Sequence, residues 1–182
     1  MTPSSARGFT LIELLMVVAI IGILSTVVLG AMQDARLKAA DAAVRQQAVQ
    51  LRNLLEQERT NTGSYAAIKS GGVGTPGPWI AVNGGCGTFT GQFAASAADV
   101  CKKLVAAAST GGRCGTACVY FQSTSPNSAT AYSIMAYLPY AAKKAAQDGL
   151  TPSLRYLCIG SSGNQSIADG AAWTEDGCQN NP

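Results

Sequence analysis

The chain has 182 residues, of which 13 are basic and 10 acidic, and it contains no histidine. A net charge of +3 gives no reason to expect nucleic acid as a main partner, so DNA binding is not indicated. The carboxylates are scattered along the chain or lie in predicted helices, and their spacing predicts neither a general base nor a metal centre. We therefore predict that the protein is not an enzyme and holds no cofactor.

The N-terminal part of the chain is a short polar leader followed by a long apolar run. Residues 9–32 are 24 positions with one charged side chain, Glu13. As an α-helix this run would be about 36 Å long at ~1.5 Å per residue, enough to cross a bilayer core of ~30 Å. Residues 1–8 are too short and too polar for a secretory signal, so the apolar run stays in the mature chain. Arg7, the one charge of the leader, predicts a cytoplasmic N-terminus and export of the rest.

The sequence GFTLIELL at residues 8–15 resembles the processing and assembly signal of type IV pilins and of type II secretion pseudopilins. The resemblance covers only residues 1–35. It implies that a prepilin peptidase cleaves after Gly8, that the new terminus Phe9 is N-methylated, and that Glu13 is the assembly residue. It also implies an inner-membrane precursor, which the pilus assembly machinery polymerises together with minor pilins into an extracellular filament.

The residues themselves support a special role for Glu13. It lies one helical turn after Phe9, so its carboxylate can meet an N-terminal ammonium of its own or a neighbouring chain. A charge deep in a bilayer costs at least ~2.5 kcal/mol, and an ion pair is several-fold stronger at a low dielectric constant than in water. We expect Glu13 to set the register of subunit addition. The alternative is a carboxylate near a helix end that reaches the lipid headgroups.

Beyond Met32 the apolar period continues on a more polar helix. One stripe with steps of three and four residues runs through Leu37, Ala40, Val44, Ala48, Leu51 and Leu55. The polar face carries opposite charges four residues apart, in the pairs Asp34 with Lys38, Asp41 with Arg45, and Arg52 with Glu56. The pattern predicts one helix over residues 9–60, with a filament-core segment at 9–32 and an amphipathic stem at 33–62, stopped by polar residues around Gly63.

Two glycines, Gly22 and Gly30, interrupt the apolar run. Pilins that this chain resembles often carry proline in place of Gly30, and that proline loosens the helix inside the filament. Glycine keeps its backbone donor and weakens a helix by ~1 kcal/mol relative to alanine. Two interpretations therefore stay open, local melting on assembly or close approach of helices in the membrane.

The globular head, residues 63–182, is predicted from shorter patterns. Residues 65–91 are rich in glycine and proline and predict a long surface connection pinned by Trp79 and Cys86. A short helix is expected over 96–109, capped by Ser96, with Val100, Leu104 and Val105 facing inward and Lys102 and Lys103 exposed.

Three strands are predicted over residues 117–122, 129–138 and 154–160, and a short helix over 140–148 closed by Gly149. We expect the strands to pair antiparallel across the apolar stripe of the stem. The fold class is α+β, a long N-terminal helix packed on a small antiparallel sheet, which is the pilin-like arrangement that the resemblance implies.

Six cysteines lie outside the apolar run, at Cys86, Cys101, Cys114, Cys118, Cys158 and Cys178. An even count in an exported chain predicts disulfide bonds, and six cysteines allow 15 pairings. The resemblance favours Cys158 with Cys178, because pilins commonly close a C-terminal loop this way. Cys86 with Cys101 and Cys114 with Cys118 would complete a sequential set. A zinc site at Cys114 and Cys118 is the weaker alternative, because no second close pair accompanies them.

The tail gathers the carboxylates of Asp169, Glu175 and Asp176 among glycines. A C-terminal calcium site is a feature of major pseudopilins, but these residues lack the alternating spacing of a dedicated calcium loop. We therefore predict solvated turn residues and no metal site.

Together these features favour a structural subunit that polymerises with copies of itself into a type IV pilus, which in the family serves surface attachment, twitching motility or DNA uptake. A pseudopilin of a type II secretion system is one alternative. A minor tip pilin acting as an adhesin is another, and an exposed aromatic pocket around Trp79 or Trp173 would favour it.

Overall fold

The computed structural model describes residues 8–65, 80–81, 86, 89–112, 114, 118–123, 132–150, 155–169 and 178. Within this part of the chain the helices are α1 (Leu11–Thr62), α2 (Ala94–Ala108) and α3 (Pro139–Gln147). The strands are β1 (Ile80–Ala81), β2 (Val119–Ser123), β3 (Tyr132–Tyr137), β4 (Arg155–Gly160) and β5 (Gln165–Asp169). The chain divides into two compact units, Met1–Arg36 and Leu37–Pro182.

The described strands form one antiparallel sheet in the order β1-β2-β3-β4-β5, so each strand pairs with its neighbour in sequence. All six residues of β3 are buried, as are five of the six residues of β4. Since successive side chains of a strand point to opposite faces, both faces of the central strands are covered. The predicted α+β class, with a long helix and a small antiparallel sheet, is confirmed.

The predicted apolar stripe of the stem forms much of the core of the second unit. Val44 and Leu51 are fully buried, and Leu55, Ala48 and Ala40 are nearly so. Val44, Ala48, Leu51 and Leu55 join one cluster with residues of α2, β3 and β4. Burying one large aliphatic side chain contributes about 1.5–3 kcal/mol, so this stripe is a main source of the stability of the head. Leu37, the first residue of the predicted stripe, is only partly buried.

The helices follow the predicted boundaries to within two or three residues. α1 ends at Thr62, and Gly63 follows with a φ of +76°, a left-handed conformation that glycine adopts without strain. α3 ends in the predicted way, because Gly149 has a φ of +72° and the N–H of Leu150 donates to the carbonyl of Ala145. With the bond from Gly149 N to Ala146 O, this is a Schellman motif.

Several predictions about the head need correction. Ser96 does not cap α2, because the helix begins earlier, after Phe93, and has no side-chain cap of its own. In the predicted inward face of α2 only Leu104 is fully buried, whereas Val100 and Val105 are partly buried against the core. Lys102 and Lys103 are exposed, as predicted.

Strands β1 and β5 were not predicted. β1 has only two residues and lies within the glycine- and proline-rich stretch that was interpreted as a connection, where it pairs with Tyr120 and Phe121. β5 begins the segment interpreted as a solvated tail, and it pairs along its length with β4. β1 is only two residues long and β5 (QSIAD) is mostly polar, so their pairing with neighbouring strands, and not their own pattern, makes them strands.

Candidate functional site at the N-terminus

The apolar start of α1 is exposed along its whole length. Every described residue from Gly8 to Gln33 is exposed, and Phe9, the predicted new terminus, is 80% exposed. The most apolar 18-residue window of α1 has a mean hydropathy of 2.7 and is not buried inside the chain at all. By length and composition, α1 is thus a candidate membrane span.

The polar groups of this apolar segment are satisfied locally. The Ser25 hydroxyl donates to the carbonyl of Ile21 at 2.8 Å, and the Thr26 hydroxyl donates to that of Ile23 at 2.8 Å. Such bonds let hydroxyl groups lie in an apolar environment without an unpaired donor. α1 continues through Gly22 and Gly30, and an added Cβ at either would meet no described atom within 4 Å.

Glu13 closes a capping box at the start of α1. Its Oε2 atom accepts from the backbone N–H of Thr10 at 2.9 Å and from the Thr10 hydroxyl at 2.6 Å, and the N–H of Glu13 is 3.4 Å from Thr10 Oγ1. In this motif a Thr before the first helical residue and a Glu three positions later satisfy each other's backbone donors. Cleavage after Gly8 would remove neither residue, so the motif can persist in a processed chain.

The predicted processing residues lie immediately before this capping box. Gly8 is exposed, and a Cβ built on it would meet no atom of the part of the chain that the structure describes within 4 Å. The predicted cleavage residue Gly8, the new terminus Phe9 and the carboxylate of Glu13 therefore lie within six consecutive exposed residues, 8–13. The structure shows how Glu13 is held, while its role in assembly stays a prediction.

A family model of the prokaryotic N-terminal methylation motif matches residues 3–29. The chain carries a type IV prepilin-like signal. No curated protein and no solved structure matches the chain. The prepilin-like signal is consistent with a pilin or a pseudopilin, and it implies processing by a prepilin peptidase and assembly into pilus-like polymers. Together with the apolar helix, it fits a membrane-anchored precursor.

The head that follows the prepilin-like signal is held by three disulfide bonds, in the sequential set described above. Cys86 is bonded to Cys101, Cys114 to Cys118, and Cys158 to Cys178, with Cα–Cα distances of 5.7, 5.0 and 5.2 Å. The described cysteines include no free thiol. The zinc alternative for Cys114 and Cys118 is therefore wrong, because two bonded sulfurs offer no thiolate to a metal.

Two carboxylates of the stem cap the other two helices. Neither cap was predicted from the sequence. The Oδ1 and Oδ2 atoms of Asp41 accept from the N–H groups of Tyr140 and Ala141 in the first turn of α3, at 2.9 and 3.0 Å. The Oε2 atom of Glu58 accepts from the N–H of Phe93, just before α2, at 3.2 Å. Both carboxylates are buried. They supply from a distant part of the sequence the caps that α2 and α3 lack locally.

The prediction that Asp41 lies on the polar face of the stem is therefore wrong. A sequence period of four places Asp41 beside Arg45, but the residue faces the N-terminus of α3, where backbone donors and the helix dipole favour a carboxylate. Burial raises the pKa of Asp41, and the N–H groups of Tyr140 and Ala141 oppose that rise. The one local sign is that Leu138, which precedes Pro139, is not a capping residue, so α3 has no side-chain cap of its own.

The predicted pair of Arg52 with Glu56 is also replaced by other contacts. Glu56 accepts from the hydroxyls of Tyr65, at 2.8 Å, and Tyr132, at 3.1 Å. Arg52 donates to the carbonyl of Ser161 at 3.2 Å. These bonds tie the end of the stem to β3 and to the turn after β4.

Other predicted residues are not placed. Trp79, Trp173, Glu175 and Asp176 lie outside the described residues, as does the side chain of Asp169. The aromatic pocket and the tail carboxylates discussed above therefore stay predictions.

Proposed function

We propose that this protein is a structural subunit of a type IV pilus and polymerises with copies of itself through α1. The single observation that carries the proposal is the prepilin-like signal at residues 3–29 on a helix whose apolar residues are exposed in the isolated chain. Exposed apolar residues from 9 to 32 need a lipid or protein environment, and a fibre of aligned helices provides one. The proposal is of a structural role and not of an enzyme.

The head suits a subunit that works outside the cell. Disulfide bonds form and persist in oxidising surroundings, and the head carries three of them. We place the protein along the shaft, where it would support attachment, motility or DNA uptake. A secretion pseudopilin or a tip adhesin would share the same signal, so the test must locate the protein in the fibre.

In the proposed assembly, Glu13 has two separable tasks. It caps its own helix through Thr10, and its charge pairs with the N-terminal amine of Phe9 on a neighbouring copy. Glutamine can also serve in a capping box, so Glu13→Gln keeps the cap and removes the charge. Thr10→Val does the opposite, because it removes the hydroxyl but leaves the carboxylate.

The test expresses the parent, Glu13→Ala, Glu13→Gln and Thr10→Val in cells with a prepilin peptidase and a pilus machine, and measures sheared filaments. We expect both Glu13 variants to lose at least tenfold in filament yield and Thr10→Val to stay within about twofold of the parent. Immunogold labelling of a tagged head should decorate the shaft at regular intervals. Label only at the tip would overturn the shaft assignment, and normal assembly of Glu13→Gln would reduce Glu13 to a capping residue.

Processing is tested with a change at Gly8. Because an added Cβ at Gly8 meets no atom of the described residues within 4 Å, Gly8→Val should leave the fold intact while it blocks the peptidase. Mass analysis should find the parent beginning at Phe9 with one extra methyl group, and the variant keeping residues 1–8. A parent that keeps its first eight residues beside an active peptidase would contradict the proposal.

A further inference from the structure

The three disulfide bonds of the head differ in how they are set into the fold. Cys101 is fully buried within α2, and its partner Cys86 is 2% exposed. Cys158 is fully buried within β4, with Met135 opposite it on one side and Ser166 on the other. Cys178, the partner of Cys158, is 8% exposed and lies outside the described helices and strands. Each of these two bonds thus has one sulfur that is fully buried within a helix or an inner strand.

The bond between Cys114 and Cys118 has a different setting. Both residues lie outside helices and strands, after the end of α2 and immediately before Val119 begins β2. Cys118 is partly exposed, whereas the other described cysteines are buried. The backbone of Cys118 is fixed independently of the bond, because its carbonyl accepts from the N–H of Tyr137 at 2.8 Å.

The Cys114–Cys118 bond also closes the shortest of the three loops. Cys114 and Cys118 are four residues apart in sequence, against 15 and 20 residues for the other two pairs. A disulfide restricts the unfolded chain less when it closes a shorter loop, so this bond contributes least to the stability of the head. Exposed disulfides that contribute little to the fold are the ones that thiols reduce most readily.

We propose that the Cys114–Cys118 bond is a thiol–disulfide exchange site for a small dithiol, and that it opens and closes while the other two bonds stay closed. The proposal rests on burial and position and not on the pilus function. The Cys114–Cys118 bond is thus reduced and re-formed, whereas the other two bonds are structural.

The exchange proceeds in two balanced steps. One thiolate of the dithiol attacks the sulfur of Cys118, a mixed disulfide forms, and Cys114 leaves as a thiolate. The second sulfur of the dithiol then attacks the mixed disulfide and releases the Cys118 thiolate. The dithiol becomes a cyclic disulfide and loses two electrons and two protons, and the protein gains two thiols. An oxidised dithiol of the same class reverses both steps.

The sequence allows each bond to be followed separately. Trypsin cleaves after Lys and Arg, so each cysteine pair falls within one peptide, namely residues 70–102, 114–143 and 156–182. The full-length protein in detergent micelles is treated with dithiothreitol, quenched with N-ethylmaleimide at set times, denatured and digested. We expect peptide 114–143 to gain two adducts at least tenfold faster than either other peptide. Equal rates for all three, or faster labelling of another peptide, would overturn the proposal.

A double variant tests whether the bond is dispensable for the fold. In Cys114→Ser with Cys118→Ser, the other two bonds should open within about twofold of their rates in the parent, and the circular dichroism spectrum should be unchanged. Cys158→Ser with Cys178→Ser is the control, and it should speed the opening of Cys86–Cys101 at least tenfold. If the Cys114/Cys118 variant has that larger effect, or fails to fold, the bond is structural and the exchange site is refuted.

Discussion

The two parts of α1 differ in whether their apolar residues are buried and in which helix their carboxylates cap. From residue 11 to 32 every residue is exposed, although nearly all are apolar, whereas from Ala40 onward the apolar stripe is buried in the head. The carboxylates differ correspondingly. Glu13 caps the helix to which it belongs, and Asp41 and Glu58 cap helices that follow it in sequence. The apolar surface of the first part is exposed, whereas that of the second part is packed against the sheet and the other helices.

We therefore expect the second part of α1 to stabilise the subunit and the first part to act in its assembly. Changes in the second part should alter the free energy of unfolding of the head, and changes in the first part should not. Chemical unfolding of the full-length protein in detergent, followed by circular dichroism, measures that quantity.

The largest effect is expected from Gly91→Ala. Gly91 has a φ of +98°, and an added Cβ would overlap the carboxylate of Glu58. The left-handed backbone and the overlap together should destabilise the head by about 3 kcal/mol. Adding Glu58→Ala to Gly91→Ala removes the overlap but not the backbone strain, so part of the loss should be recovered. A double variant less stable than the sum of the two single changes would contradict this explanation.

The next largest effect is expected from Asp41→Ala. The change leaves the N–H groups of Tyr140 and Ala141 without their buried acceptor, and it should cost about 2 kcal/mol. Arg45→Ala is a matched control one turn away on the exposed surface, where we expect a change below about 0.5 kcal/mol. Equal losses for the two variants would show that Asp41 acts through charge at the surface and not as a cap.

A smaller effect concerns pH. Burial and the neighbouring Glu56 carboxylate raise the pKa of Tyr132 well above its ordinary value of 10.0, so the unfolded chain releases this proton first. The contribution of Tyr132 is therefore fully present below pH 10 and is lost as pH rises above it, by about 1.4 kcal/mol at pH 11. Tyr132→Phe should flatten the fall in stability between pH 9 and 11. An unchanged slope would refute the assignment.

The smallest effect on the head is expected from Thr10→Val. It removes the hydroxyl that donates to Glu13 and should fray only the exposed first turn of α1. The unfolding midpoint of the head should stay within error of the parent. A shift as large as that of Asp41→Ala would mean that the start of α1 also stabilises the head.

Features with a local cause could be predicted from the sequence. The apolar run, the stripe from Ala40 to Leu55 and the turn at Gly149 each depend on spacing within one segment, and the structure has all three. The sequential disulfide pairing was also predicted, although its first assignment came from resemblance.

Features with a distant cause could not be predicted. Asp41 and Tyr140 are 99 residues apart, and nothing in the pattern around Asp41 distinguishes a buried cap from a surface charge. β1 and β5 likewise depend on the strands that they join. At the candidate site, the sequence analysis did not predict the capping box that holds Glu13, although the Thr-x-x-Glu spacing is present at residues 10–13, and the assembly role of Glu13 stays a prediction.

The order of the cysteine pairs has a consequence for the biogenesis of the head. The three closed loops neither cross nor enclose one another, since each pair is complete before the next begins along the chain. For a polypeptide that emerges with its N-terminus first, each bond can form as soon as its second sulfur appears, with the correct partner as the only unpaired thiol present. Oxidative maturation can therefore proceed from one end to the other without an isomerase to rearrange wrong pairs.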